Sequence, residues 1–234
     1  MLNSLGIWGI AAVTAITVQD TKGVEEVHPL EASWVARQID VVVADLPPSA
    51  VKIGALGSGD VASAVALALQ RNGLQNIVLD PVVLSSSGHP LLDWKGVNVL
   101  KSRLLPMCAV LTANWAELAL FSGLPVNCDD SATKAALAIV ALGCDSVLAK
   151  GGHSKDPHMA VDFLVDSSGK VHRFEAPRLS GPSPHGTGCA LSSLIAGYLA
   201  SGDGLASAVE KGKSALTSRI AQASSLGSGA PLLW

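Results

Sequence analysis

The feature that most constrains this chain is an alternation: short β-branched, apolar runs are each followed by a longer stretch with apolar residues at helical spacing. That pattern predicts an α/β fold, because strands laid in parallel need helical crossovers to bring the chain back. Residues 11–18, 50–53, 76–79, 108–111 and 146–149 read as strands, and residues 31–46, 60–71, 97–105, 131–142, 187–200 and 204–223 as helices. Pro47-Pro48 stops the first helix, Asn72-Gly73 closes the second, and Asn114 caps a short one. Ser167-Ser168-Gly169 lies between two strand-like runs, 161–165 and 170–174, and predicts a hairpin at an antiparallel edge of the sheet.

The 234 residues are 49% hydrophobic and 15% charged, which excludes disorder and fits one domain over 1–234. Sixteen Lys and Arg against nineteen Asp and Glu leave a net charge of −3, so the basic footprint of a nucleic-acid partner is missing. No apolar run reaches the roughly 18 residues of a membrane span, and the apolar opening segment carries no basic leader region. A cytoplasmic location is expected. Cys108, Cys128, Cys144 and Cys189 have no CxxC spacing, so reduced thiols are the expectation.

Several strand tips carry polar or glycine residues: Gln19-Asp20, Gly54, Asp80, Thr112 with Asn114, and Lys150-Gly151-Gly152. Ligands of open parallel sheets bind outside the carboxyl ends of the strands, so these residues should converge on one crevice. His185-Gly186-Thr187-Gly188-Cys189 runs directly into an apolar helix, the arrangement that turns backbone N–H groups and a helix N-terminus toward an anion. Ordinary glycines in a tight turn fit the same spacing. Cys189 falls in the first helical turn, where the dipole favours thiolate, although a small buried hydrophobe is an equal reading. Asn114 and Glu117 share a helical face just after a strand. The Glu either holds Mg²⁺ through water or is a solvated residue beside a cap. Asp80 either shares that metal or caps a turn. His153 and His158, in a Gly/Pro-containing loop, lack zinc spacing.

KIGAL (52–56), VLDPVV followed by SSSG (78–88), LTANWAE (111–117), LAKGGH (148–153) and HGTGC-ALSS (185–193) stand together in one order. In that order and spacing the chain resembles the hydroxymethylpyrimidine/phosphomethylpyrimidine kinases of thiamin synthesis, in the ribokinase-like superfamily. Residues 5–29 resemble a further segment of that family. The resemblance implies a three-layer α/β/α fold, with a mostly parallel sheet and an antiparallel edge hairpin. It also implies transfer of phosphoryl groups from ATP, with Mg²⁺, to the pyrimidine hydroxymethyl group and then to its monophosphate.

Residue by residue, the resemblance makes Cys189 the base on the acceptor and the N–H groups of Gly186, Thr187 and Gly188 the anion hole. Gln19 would read the aminopyrimidine edge, with Gly54 and Val83 beside the substrate. Asn114, Lys150, Gly151 and Thr187 would hold the nucleotide, and Glu117 with Asp80 the metal. Gly181-Pro182-Ser183-Pro184 stand where the family carries TKNT, Ala55 where it commonly has Met, and Ser86 where it has Lys. The family's first strand and Gly-rich loop would precede this chain, so an exposed edge strand is expected. That edge and the Trp residues 8, 34, 94, 115 and 234 would suit a homodimer. Two other readings are open: a pyridoxal or pyridoxine kinase, and a member that binds ligand without turnover.

Overall fold

The computed structural model describes residues 1–152 and 156–233, so His153 and Trp234 lie outside the described residues. Six strands form the central sheet: β3 (Val51–Ile53), β4 (Ile77–Leu79), β5 (Cys108–Asn114), β6 (Ser146–Lys150), β7 (Met159–Asp166) and β8 (Val171–Pro177), in that spatial order. The first four are mutually parallel; β7 and β8 run antiparallel, as the turn at Gly169 requires with its φ of 80°.

Strand period two builds the layers. Leu111, Ala113, Val147, Ala149 and Val165 face one core, which they share with Val61, Val65 and Leu69 of α2 (Gly59–Arg71), Leu118 and Phe121 of α4 (Trp115–Ser122) and Ala135 and Ile139 of α5 (Asp129–Val140). The intervening Val110, Leu148 and Leu164 face the other core, under Leu191 and Ile195 of α6 (Thr187–Ala200) and Ala208 and Val209 of α7 (Leu205–Ile220). The result is a three-layer α/β/α sandwich. Val35 of α1 (Ala32–Asp45) joins the first core, as does Val97 of α3 (Trp94–Val99). No helix among the described residues is long and apolar enough to cross a membrane.

Two expected elements differ. The first strand is β1 (Ala15–Gln19), and it lies outside the central sheet. It pairs antiparallel with β2 (Val24–Pro29) in a separate two-stranded sheet. That hairpin is held to the body by Gln38 of α1, which exchanges two 2.9 Å hydrogen bonds with the backbone of Val13, and by Thr14 Oγ1, which donates to the Ala55 carbonyl at 2.7 Å. The helix expected over 97–105 is α3, extended by one π turn (Leu100–Leu104) and one 3-10 turn (Leu105–Met107). Pro106 cannot donate a backbone N–H, so regular helix ends ahead of it.

Candidate functional site

Five elements bring polar groups to one point, and three of those groups carry charge. Asp80, the residue after β4, is 2% exposed. Its Oδ1 lies 3.1 Å from Nζ of Lys150, the last residue of β6, and 3.3 Å from Oγ1 of Thr112 in β5. Ser192 of α6 brings Oγ to 3.3 Å from Asp80 Oδ2. Glu117 Oε2 accepts the Asn114 N–H at 2.7 Å and stands 3.9 Å from Lys150 Nζ, while Asn114 Oδ1 accepts the Glu117 N–H at 2.9 Å. This reciprocal capping box starts α4 and fixes the carboxylate over the tip of the sheet. Glu117 thus belongs to the cap, and its side chain is 13% exposed rather than fully solvated.

The electrostatics follow from burial and the two lysines. Burial pushes the Asp80 carboxyl up, yet the Lys150 and Lys52 charges outweigh it and hold the group below its ordinary value. Burial likewise opposes the Lys150 ammonium, but Asp80 and Glu117 keep its pKa above the usual one. Glu117 is raised, burial outweighing Lys150 and the Asn114 N–H, with Asp80 adding to the rise.

The anion loop reaches the same point. Gly186 takes φ 79°, a left-handed conformation that suits glycine, and opens α6. Among the described residues the N–H groups of Gly186, Thr187 and Gly188 have no hydrogen-bond partner; the first intrahelical bond is Ala190 N–H to Gly186 O, at 2.8 Å. A Cβ on Gly188 would stand 3.3 Å from Lys150 Nζ and 3.9 Å from Asp80 Oδ2, which measures how closely the helix mouth lies over the pair.

Opposing influences meet at Cys189. The helix dipole favours thiolate, while desolvation by the surrounding protein and the Asp80 charge push the thiol above its ordinary value, although the residue is exposed on one side. Lys52 and Lys150 pull the other way without prevailing. Cys108 and Cys144 are buried core thiols.

The strand-tip expectation holds for Asp80, Thr112, Asn114, Lys150 and Gly151, and Gly54 follows β3, with the Lys52 ammonium folded over it. Gln19 sits instead at the end of β1, exposed, and no side-chain hydrogen bond joins it to the cluster among the described residues. Its hairpin is nevertheless tied to the anion loop two residues on: His185 Nε2 donates to the Thr21 carbonyl at 2.9 Å. Two hollows open beside this tie. One, about 590 Å³, lies between Asp20, Lys22 and Gly23 of the hairpin and Ser87 to Pro90; the other, about 380 Å³, reaches Gly186 and Cys189. Val83, half-buried, carries the carbonyl that receives the Leu91 N–H at 2.8 Å. Sequence reasoning singled out neither Lys52 nor Ser192, although Lys52 opens one of its motifs and Ser192 stands four residues after Gly188, one helical turn.

A family model described as phosphomethylpyrimidine kinase matches residues 1–233. The chain is 39% identical over 225 residues to the hydroxymethylpyrimidine/phosphomethylpyrimidine kinase of Escherichia coli (strain K12), covering 96% of this chain and 84% of that protein. It is similar to the crystal structure of phosphomethylpyrimidine kinase from Clostridium difficile 630, with a TM-score of 0.82, 32% identity, and 94% and 89% of the two chains covered. The ADP complex of Bacillus subtilis pyridoxal kinase gives a TM-score of 0.91 at 26% identity, over 99% and 88% of the two chains.

Proposed function

We propose that this chain, which belongs to the phosphomethylpyrimidine kinase family, transfers a phosphoryl group from ATP to the hydroxymethyl oxygen of 4-amino-5-hydroxymethyl-2-methylpyrimidine, and then a second to the monophosphate so formed. The observation that carries this reading is the mouth of α6, with its unpaired amides, lying over Lys150 and Asp80. Phosphoryl transfer asks a protein mainly to position two reactants and neutralise charge, and these groups do both.

In this reading the N–H groups of Gly186, Thr187 and Gly188 hold the migrating phosphoryl. Lys150, with Asn114 and Gly151, orients the nucleotide phosphates. Gln19 reads the pyrimidine edge, and Gly54 and Val83 border the acceptor. Cys189 takes the acceptor proton on Sγ from its thiolate form, which the Lys52 and Lys150 charges favour and the Asp80 charge opposes.

Two carboxylates beside a phosphate site suit Mg²⁺, which commonly takes one or two carboxylates and completes its shell with water and phosphate oxygens. Asp80 and Glu117 fit that donor set, and Mg²⁺ would supply charge neutralisation between the phosphates. Lys150 balances the two carboxylates. A homodimer in the cytoplasm goes with this reading: Trp8 and Trp34 are 84% and 67% exposed, and β3 forms one edge of the sheet.

The similarity to the pyridoxal kinase fold favours one second reading, a pyridoxal or pyridoxine acceptor. Purified protein with ATP and Mg²⁺ is to be given each substrate side by side. ADP release with the hydroxymethylpyrimidine supports the first reading, and release with pyridoxal alone transfers the assignment to the second.

A further inference from the structure

The last ladder pair between β6 and β7 is Ala149 with Phe163, so the backbone pairing stops just short of Lys150. The next residue outward on β7 is Asp162, and its side chain continues the pairing: Oδ1 accepts the Gly151 N–H at 2.8 Å. Its Oδ2 accepts from Lys213 Nζ of α7 at 2.6 Å. Both side chains are 8% exposed. Gly151 is itself buried, and a Cβ there would overlap the Val161 carbonyl oxygen, so the chain is pressed against β7 at this residue. Burying an ion pair of this kind costs several kcal/mol in desolvation, and apolar replacements of similar volume are often neutral or stabilising. Packing alone therefore gives little reason for it.

We propose that Asp162 is a positioning residue: its side-chain oxygen, on a group whose charge Lys213 neutralises, grips the Gly151 amide and so aims Lys150 between Asp80 and Glu117. Neither Asp162 nor Lys213 touches the reacting groups. Asp162 acts through the backbone direction at the tip of β6. The effect on turnover rests on the kinase reading above; the effect on the geometry of Lys150 does not.

Size-matched variants separate the acceptor from the charges. Asp162→Asn with Lys213→Met removes both charges and keeps an oxygen for the Gly151 N–H; Asp162→Leu with Lys213→Met removes the oxygen as well. Cys189 reports on Lys150, since the charges facing its thiol are Asp80, Lys52 and Lys150. In a Cys128→Ser background, which silences the other exposed thiol, the pH profile of Cys189 alkylation by iodoacetamide is followed by mass spectrometry alongside turnover.

The Asn/Met protein is expected to keep the parent profile. The Leu/Met protein is expected to move it upward by about half a unit or more, as a cation withdraws, and to lose about tenfold in kcat/KM for ATP with the pyrimidine KM unmoved. Should the Leu/Met protein not fold, Asp162→Ala with Lys213→Met takes its place. Coincident profiles in all three folded proteins would overturn the proposal, as would an equal shift in the Asn/Met and acceptor-less proteins. A parent that releases no ADP would sink the kinase reading while leaving the profile comparison to decide the geometry.

Discussion

Lys150 and Asp80, seventy positions apart in the chain, meet at 3.1 Å because β6 and β4 flank β5 in one parallel register and both end at the same rim of the sheet. That meeting fixes the site. Replacing Lys150 by Met strands the Asp80 carboxylate in a buried place without its cation, so we expect a loss of about 1–3 kcal/mol in stability and of about a hundredfold or more in turnover. Urea unfolding and ADP release check the two effects separately.

Cys189→Ala should leave the fold intact, because the side chain is small and opens to solvent on one side. Turnover is expected to fall by about 10²–10⁴, the usual worth of a positioned proton acceptor, with nucleotide affinity little changed by calorimetry. Full activity in Cys189→Ala would remove the thiol from the reaction.

Gly188→Ala places a methyl group 3.3 Å from Lys150 Nζ, closer than such contacts usually come, so the ammonium must give way. The residue lies within α6, where alanine is tolerated. The expected result is a severalfold rise in the ATP KM with an unchanged melting temperature; an unchanged KM would mean that Lys150 does not set nucleotide binding.

Asp80 also predicts a pH dependence of stability. Its carboxyl is held below the ordinary 3.8, so its stabilising contribution is complete above that value and is lost as pH falls through the lower folded-state pKa. Glu117, raised above 4.5, acts in the opposite sense: the folded state loses stability relative to the unfolded one as pH rises from the ordinary value to the folded-state value. Urea midpoints between about pH 7 and pH 2 should therefore fall less steeply at the acid end for Asp80→Asn than for the parent. Parallel curves would assign the acid loss to other groups.

Much of this architecture is legible locally. Strands such as CAVL and SVLA are apolar on both faces because both faces are covered, and the polar residues after them mark the rim where the site lies. Asn114 and Glu117 announce their capping box by spacing alone. The hairpin β1–β2 is legible only in half. Residues 11–18 are apolar and β-branched, as strands are, but the choice of partner is made by distant contacts at Gln38 and Ala55. Val24–Pro29 carries Glu25, Glu26 and His28 on an exposed ribbon, without the apolar alternation that betrays a half-buried strand. The surroundings of Cys189 are equally non-local: a helix dipole is legible in the sequence, whereas the Asp80 carboxylate arrives from the end of β4. Lys213 reads as one more surface lysine of an amphipathic helix, and only the fold brings Asp162 beneath it.

The most direct test follows the phosphoryl group itself. ATP labelled at the γ-phosphate is incubated with the protein, Mg²⁺ and the hydroxymethylpyrimidine, and the label is traced by chromatography in the parent and in Lys150→Met. The parent should carry label first onto the monophosphate and then onto the diphosphate, and Lys150→Met should do so at about a hundredth of the rate or less. Label that stays on ATP, or reaches only water, in the parent would contradict the assignment of this site to pyrimidine phosphorylation.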